Sequence, residues 1–217
     1  MTFARRVHWL RRTALPWWRG TGTPDVALTF DDGPHPEQTP AVLDRLAAHG
    51  LTATFFLVGN RITDPALMRR ITDAGHEIGN HTFSHPVPRW SDIAVSLGDV
   101  RRCQEVIPSA KVFRPPLGRL TPGLWLGARR CGLRVRNWTL DSGDWRCRTA
   151  ADAATCAAEV LALVRPGDVL LFHDDHRWIA PILDRVLPAL ATHDARVTNK
   201  PFPEGCGVVS TMTRGNG

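Results

Sequence analysis

Short apolar runs alternate with amphipathic segments along most of this chain, and this alternation limits the folds that are open to it. The first run covers residues 26–30 and ends in acidic residues. Continuous apolar strands are buried on both faces, as in parallel sheets. The segments between the runs repeat their apolar residues at helical spacing. Six or seven strand–helix units therefore predict an α/β fold, in which helices cover a parallel sheet that is either a barrel or an open doubly wound sheet.

Turn and capping residues set the predicted boundaries. Helices are predicted to begin at Thr39, Asp64 and Ser91, whose side chains make good N-caps, and proline follows the first two. The other helices are predicted at 122–130, 151–163 and 179–191, and the strands at 26–30, 52–58, 77–79, 112–113, 134–140 and 168–172. No linker separates these units, so one domain is expected.

Length, charge and cysteine content exclude several classes of protein. A chain of 217 residues suits one domain with one core. The net charge of +6 comes almost entirely from arginine, and we interpret it as a solvated basic surface. No nucleic-acid-binding motif accompanies it, so no nucleic-acid partner is predicted. The five cysteines are widely spaced, which argues against a disulfide framework or a thiolate zinc site, although a Cys147–Cys156 bridge stays open.

The two ends of the chain differ from its middle. Residues 1–24 are rich in arginine and tryptophan but lack the apolar run of a signal peptide, and no stretch has the length of a membrane span. We predict a basic N-terminal extension over 1–24, a folded domain over 25–200 and a C-terminal tail over 201–217. A loosely packed extension is favoured over one that contacts a membrane surface. A monomer in the cytoplasm is expected.

Five polar clusters follow the apolar strands. They lie at residues 29–34, 81–85, 114–118, 141–145 and 171–174. Parallel strands end at the same edge of a sheet, and α/β barrels build their active sites at that edge. The sequence therefore predicts that the five clusters meet in one site.

Two of these clusters predict a metal site. His81 and His85 are four residues apart, so a helical turn or a tight loop can point both imidazoles the same way. With one carboxylate they leave an open position on a zinc-like ion. Asp31 and Asp32 diverge at a strand end, so one can hold the ion while the other takes a proton from water. Either pair alone is more often a turn or a pair of surface histidines, but together they predict a hydrolase.

The remaining clusters supply candidates for acid catalysis and substrate binding. His173 ends the most apolar strand and can protonate a leaving amine, with Asp144 or Asp141 as the carboxylate that orients it. Arg114 can brace the catalytic carboxylate, and Trp145 can stack on a sugar ring. Each of these residues alone also fits an ordinary structural role, as a strand-end histidine, a salt bridge or a core aromatic.

Taken in order, the five clusters resemble the motif set of the NodB-type polysaccharide deacetylases, carbohydrate esterase family 4. The resemblance spans residues 25–190, nearly the whole chain. It implies a distorted (β/α) barrel of about seven strands and a metal-dependent deacetylase. The implied substrate is the N-acetyl amide of an amino sugar in a chitooligosaccharide, peptidoglycan or lipid-linked saccharide. The implied cofactor is a divalent ion, zinc first, with cobalt, nickel or manganese as alternatives.

The resemblance also implies which residues hold the metal and activate water. Asp32, His81 and His85 are the implied metal ligands. Asp31 is the implied general base, and Arg114 would position it.

The other implied roles concern the acid and the pocket. His173 would be the general acid, paired with Asp144. The backbone N–H of Leu117 would help to stabilise the oxyanion, and Trp145 and Leu171 would line the acetyl and sugar pocket. Leu117 departs from the family, which usually has an aromatic residue there, often tyrosine. A backbone donor survives that change, so it affects the expected substrate contacts rather than hydrolysis.

Two alternatives stay open at the level of sequence. One is a deformylase or amidase that acts on another sugar-linked or small amide. The other is a carbohydrate-binding relative without catalysis, against which the intact clusters argue.

Overall fold

Seven parallel strands form one curled sheet in the computed structural model, which describes residues 20–23 and 25–192. The strands are β1 (Ala27–Asp31), β2 (Thr54–Leu57), β3 (Glu77–Asn80), β4 (Val112–Phe113), β5 (Arg134–Val135), β6 (Leu140–Asp141) and β7 (Val169–His173). Their spatial order is β5-β4-β3-β2-β1-β7-β6, a cyclic permutation of the chain order. Such an order is that of a barrel, whereas a doubly wound sheet reverses direction. The predicted distorted barrel is thus confirmed, and in the described residues it is open between β5 and β6.

Among the described residues, six helices cover the sheet. They are α1 (Gln38–Ala48), α2 (Pro65–Asp73), α3 (Ile93–Val106), α4 (Pro122–Arg130), α5 (Ala150–Leu163) and α6 (Ile179–Thr192). Three 3₁₀ turns lie at Gly59–Arg61, Pro116–Gly118 and Asp144–Arg146. In the part of the chain that the structure describes, none of these helices is long and apolar enough to span a bilayer.

The neighbouring strands β1 and β7 place the site because both of their faces are buried. Outward residues such as Phe30 and Phe172 pack in the main core under the helices, and their rings stack 5.8 Å apart. Inward residues such as Val169 and Leu171 fill a smaller apolar cluster inside the sheet. β1 pairs with β7 in a register that sets Asp31 opposite His173. The apolar packing therefore fixes two candidate catalytic residues side by side.

The first helix does not begin as predicted. α1 begins at Gln38, and the Thr39 side chain does not cap it. Instead, Nδ1 of His35 accepts the N–H groups of Glu37 and Gln38, each at 3.2 Å. The Thr39 hydroxyl donates to the buried carboxylate of Asp174 at 2.5 Å. The Thr39 oxygen accepts the His35 N–H at 2.8 Å, so the acceptor that the pattern assigned to the helix end is already occupied.

Two further boundaries differ, and one is confirmed. α3 begins at Ile93, so Asp92 rather than Ser91 occupies the N-cap position. The strand predicted over 134–140 is two short strands, β5 and β6, which pair with different neighbours. Asp64 caps α2 as predicted, with its carboxylate accepting the Ala66 N–H at 2.8 Å.

Little of the predicted terminal segments falls within the described residues. Thr21 is buried, and its N–H donates to the Gly167 carbonyl at 2.9 Å, so the packed domain reaches at least to residue 20. The rest of the extension and the whole C-terminal tail lie outside the described residues. The four described cysteines are free thiols, so Cys147 and Cys156 do not bridge here.

Two glycines let α4 lie close to α3. A Cβ on Gly123 would lie 2.7 Å from the Ile93 carbonyl oxygen, and one on Gly127 would lie 3.0 Å from the Val100 Cβ.

We expect Gly123→Ala to lower the free energy of unfolding by about 1–3 kcal/mol, because the facing atom is backbone and cannot rotate away. Urea denaturation checks this. Gly98→Ala on α3 is the control, since that position is open, and it should be neutral or stabilise by up to about 1 kcal/mol. Equal effects of the two substitutions would contradict the packing explanation.

Candidate metal-dependent active site

The five polar clusters meet at the carboxyl edge of the sheet, as predicted. Asp31 ends β1 and His173 ends β7, and the two are paired in register. Arg114 follows β4 directly, and Asp144 begins the 3₁₀ turn that follows β6. Loops after β1 and β3 supply the candidate metal ligands, and the candidate substrate contacts lie in the 3₁₀ turns after β4 and β6 and in β7.

Asp32, His81 and His85 form a cluster suited to holding a metal ion. One potential ligand atom from each residue lies within 4.8 Å of the others. Oδ1 of Asp32 is 3.4 Å from Nε2 of His81 and 3.2 Å from Nε2 of His85. The structure thus brings together the three residues for which the sequence predicted a metal site.

A tight loop, not a helical turn, orients the two histidines. The Asp99 carboxylate accepts the N–H groups of Phe83 and Ser84 at 3.0 and 3.1 Å, and the Ser84 hydroxyl at 2.9 Å. Oδ1 of Asn80 accepts the Thr82 N–H at 2.9 Å. Side chains therefore satisfy the backbone of this loop and hold it in one shape.

Backbone strain is concentrated in the site. Among the described residues, the non-glycine residues with positive φ are Asp32, Thr82, His85 and Leu117, at 72°, 68°, 50° and 56°. Two of them are candidate metal ligands, and a third is the candidate oxyanion donor. Such conformations cost of order 1–3 kcal/mol each and persist where the surroundings fix them, often at functional sites.

The donor atoms fit a divalent metal. Nδ1 of His81 lies 2.7 Å from the Arg114 carbonyl oxygen, which can only accept, so this nitrogen carries the proton. The lone pair of Nε2 then faces Asp32, in the arrangement by which proteins orient histidine ligands. Oδ1 of Asp32 is buried without a hydrogen-bond partner in the described part of the chain. One carboxylate and two imidazoles form a zinc-type set that leaves a fourth position open.

Electrostatics favour the anionic form of Asp32. Burial by itself raises the pKa of this carboxyl, but the close imidazole of His81 and the charges of the nearby histidines outweigh burial, so the pKa is lowered. Burial also lowers the pKa of His85, which favours the neutral imidazole that a metal requires. Asp32 and His85 therefore do not have to give up a proton near neutral pH before they bind a cation. At His81, burial opposes the charge, but the Asp31 and Asp32 carboxylates outweigh burial and raise the pKa.

Asp31 is held by a fully buried arginine. Its Oδ1 accepts from Nη1 of Arg114 at 2.6 Å, and its Oδ2 lies 3.7 Å from Nε2 of His81. Arg114 also donates to Thr29 and to the carbonyl oxygens of Arg136 and Asn137. One carboxylate oxygen is thus fixed, while the other faces the metal cluster.

A histidine–aspartate pair, His173 and Asp144, lies next to Asp31, because His173 is paired with Asp31 in the sheet register. Nδ1 of His173 lies 2.8 Å from Oδ1 of Asp144, which is fully buried. Burial opposes the charge on His173, but the Asp144 hydrogen bond and charge outweigh it and raise the pKa of His173 to about 10. His173 is therefore a protonated imidazolium at neutral pH. The choice left open by the sequence falls on Asp144, since Asp141 instead accepts the Gly143 N–H.

The three candidate substrate contacts differ in exposure. Leu117 and Trp145 are 55% and 49% exposed, and the Arg146 guanidinium lies over the Trp145 ring at 4.5 Å. Leu171 is only 3% exposed and belongs to the inner apolar cluster. Only the first two can offer a broad surface to a ligand, so any contact with Leu171 must be small.

Sequence reasoning missed several residues that shape the site. His176 contacts Asp144, Asp99 holds the histidine loop, and Thr29 contacts Arg114. A signal existed for His176, which lies three residues beyond His173 in a polar run after β7. Thr29 lies in the first polar cluster but had no predicted role, and no spacing in the sequence distinguishes Asp99 from other polar residues.

These features together define a hydrolase of the (β/α) barrel type with a candidate metal site at the carboxyl edge of its strands. The chain belongs to the polysaccharide deacetylase family, whose family model matches residues 19–136. The predicted resemblance is thereby confirmed.

Relatives and solved structures agree with this assignment. A chitooligosaccharide deacetylase of Sinorhizobium fredii is 41% identical over 162 residues, which are 71% of this chain and 74% of the relative. A peptidoglycan-N-acetylglucosamine deacetylase of Bacillus cereus is 32% identical over 203 residues, covering 89% and 73% of the two chains. The structure of a family 4 carbohydrate esterase from Streptomyces lividans, in complex with acetate, superposes with a TM-score of 0.70. It is 30% identical and covers 77% of this chain and 88% of its own.

Proposed function

We propose that this protein hydrolyses the N-acetyl amide of N-acetylated amino sugars, with a divalent metal ion, zinc first, held by Asp32, His81 and His85. The observation that carries the proposal is that this ligand cluster lies beside a carboxylate held by arginine, and that this carboxylate is paired in register with a histidine held by aspartate. Amide hydrolysis needs a base for water and an acid for the departing amine, and this arrangement offers one of each.

A divalent ion on these ligands would supply Lewis-acid polarisation of the acetyl carbonyl and would make water more acidic. The chain's own residues do the rest. Asp31 takes a proton from the attacking water through Oδ2, because Arg114 occupies Oδ1. The same arginine keeps the carboxylate from rotating away. The backbone N–H of Leu117 is the proposed donor to the developing oxyanion, a contact typically worth about 3–4 kcal/mol.

His173 acts in the second half of the reaction. Its Nδ1 is engaged by Asp144, so Nε2 is the nitrogen that can reach a substrate. As the C–N bond breaks, the proton on Nε2 moves to the departing nitrogen, and acetate and a free amine result. Asp144 stays hydrogen-bonded to Nδ1 throughout, so it stabilises the imidazolium of His173 before the proton leaves and keeps the ring oriented afterwards.

The exposed side chains favour a sugar as substrate. The half-exposed Trp145 offers an aromatic face on which a pyranose ring can stack. Leu117 offers an apolar contact without the aromatic edge that the family usually has there. Two relatives are named a chitooligosaccharide deacetylase and a peptidoglycan-N-acetylglucosamine deacetylase, and both names are those of deacetylases that act on saccharides.

The proposal is tested by measuring acyl release from a panel of substrates. Zinc-loaded protein is incubated with N-acetylglucosamine oligomers, peptidoglycan fragments and lipid-linked saccharides, and with formylated counterparts of each. We expect acetate release that stops with a chelator and returns with zinc. Formate release without acetate release would replace the deacetylase by a deformylase. Binding of oligomers without any turnover would instead leave a carbohydrate-binding protein.

A further inference from the structure

The carboxylate of Asp144 accepts four hydrogen bonds, and one of them comes from a second histidine. Its Oδ1 accepts from Nδ1 of His173 and from the Trp145 N–H, both at 2.8 Å. Its Oδ2 accepts from the His173 N–H at 2.7 Å and from Nε2 of His176 at 3.2 Å. Since Asp144 is fully buried, these contacts alone determine where its charge and its plane lie.

The start of α6 fixes the tautomer of His176. The Trp178 N–H donates to Nδ1 of His176 at 3.3 Å, and the Ile179 N–H donates to the His176 carbonyl at 3.2 Å. Because Nδ1 accepts, the proton of the neutral imidazole lies on Nε2, which faces Asp144. His176 is therefore a preset donor, with 22% of its side chain exposed.

We propose that His176 is a positioning residue for proton donation by His173, acting through Asp144. Its N–H holds Oδ2, so Oδ1 stays aligned with Nδ1 of His173. It also draws part of the carboxylate charge towards Oδ2, which lets Nε2 of His173 release its proton more readily. This inference rests on the proposed function, because it presupposes that His173 protonates the leaving amine.

A purely structural role for His176 predicts a different outcome. If its only task were to accept the Trp178 N–H and start α6, its loss would lower all activities of the enzyme together. If it positions the acid, its loss should matter only when the leaving group needs a proton. An aryl acetate that releases a stable phenolate needs none, whereas an N-acetyl sugar does.

Two variants that differ by one methylene separate these roles. His176→Gln keeps an N–H that reaches Asp144, as Nε2 does. His176→Asn keeps an oxygen for the Trp178 N–H, but its own N–H falls short of Asp144. The measured quantity is the ratio of kcat on an N-acetylglucosamine oligomer to kcat on 4-nitrophenyl acetate, both with zinc-loaded enzyme. This ratio does not depend on the fraction of the sample that is folded.

We expect the ratio to fall about tenfold in His176→Asn and to stay within about twofold of wild type in His176→Gln, since a general acid contributes 10²–10⁴-fold in all. His49→Asn, at an exposed histidine after α1, should leave the ratio unchanged. Proportional loss of both activities in His176→Asn, or a wild-type ratio, would overturn the proposal. His173→Ala tests the foundation separately. An unchanged ratio in that variant would show that the acid assignment itself is wrong, whatever His176 does.

Discussion

Asp31→Asn is expected to lower kcat for deacetylation by about 10²–10⁴-fold while zinc content stays at the wild-type level. The amide keeps the shape of the carboxylate and an oxygen that can accept from Arg114, but it cannot take a proton from water. Asp31 lies beside the ligand cluster without belonging to it, so the cation site should survive. Acetate release and zinc analysis on the same sample measure both quantities.

The control for this substitution is Asp44→Asn. Asp44 is an exposed acid on α1 that pairs with Arg70 and has no place in the proposed active site. Its loss should therefore change neither activity nor zinc content. Normal turnover in Asp31→Asn would exclude Asp31 as the general base. Loss of zinc together with activity would instead make Asp31 a metal ligand.

Arg114→Met is expected to lower the free energy of unfolding by about 3–5 kcal/mol and to abolish most activity. Arg114 has no exposed surface and neutralises Asp31 at 2.6 Å. Methionine fills much of the same space but leaves a buried carboxylate without its partner. The Thr29 hydroxyl and two backbone carbonyl oxygens also lose a donor. Denaturant unfolding at neutral pH measures the change.

A matched surface pair provides the control for Arg114. Arg45 binds Asp184 at 2.7 Å, a similar distance, but both partners are partly exposed. Arg45→Met should cost no more than about 1 kcal/mol, because water solvates the remaining carboxylate. A cost for Arg114→Met as small as that for Arg45→Met would show that the buried pair does not stabilise the fold.

The fold was predictable because its strongest signals are local. Continuous apolar strands such as β1 and β7 have few alternatives to a buried parallel sheet, and glycine and proline mark the ends of the helices. The pairing of β6 with β7 rather than β5 was not predictable. It depends on how the sheet curls, and the predicted strand over 134–140 ran through the break between β5 and β6.

The site was predictable where residue type and strand-end position together demand chemistry. Asp32, His81 and His85 satisfied both conditions, and the structure gathers them. That Asp144 rather than Asp141 is the carboxylate that pairs with His173 was implied by the family resemblance and shown by the structure. Their separation is only three residues, and the intervening turn decides which carboxylate turns inward.

One physical reason explains why the role of Thr39 was predicted wrongly and why His176 was missed. Both side chains bind carboxylates that are distant in sequence, so their roles depend on what the folded chain buries near them. A pattern of residue types shows that a side chain can cap, donate or accept, but it does not show which partner competes best. The expected monomer, the cytoplasmic location and any membrane contact of residues 1–24 stay predictions.

Zinc titration of metal-free protein shows whether Asp32, His81 and His85 hold the cation. Calorimetry should show that wild type binds one zinc ion and that His81→Ala binds it more than about 100-fold more weakly, since a ligand should count for at least as much as the residues that orient it. His49→Ala, which removes an exposed histidine, should bind zinc as wild type does. Zinc affinity in His81→Ala equal to that of wild type would contradict the account, because the cation would then lie somewhere other than between Asp32 and the two histidines.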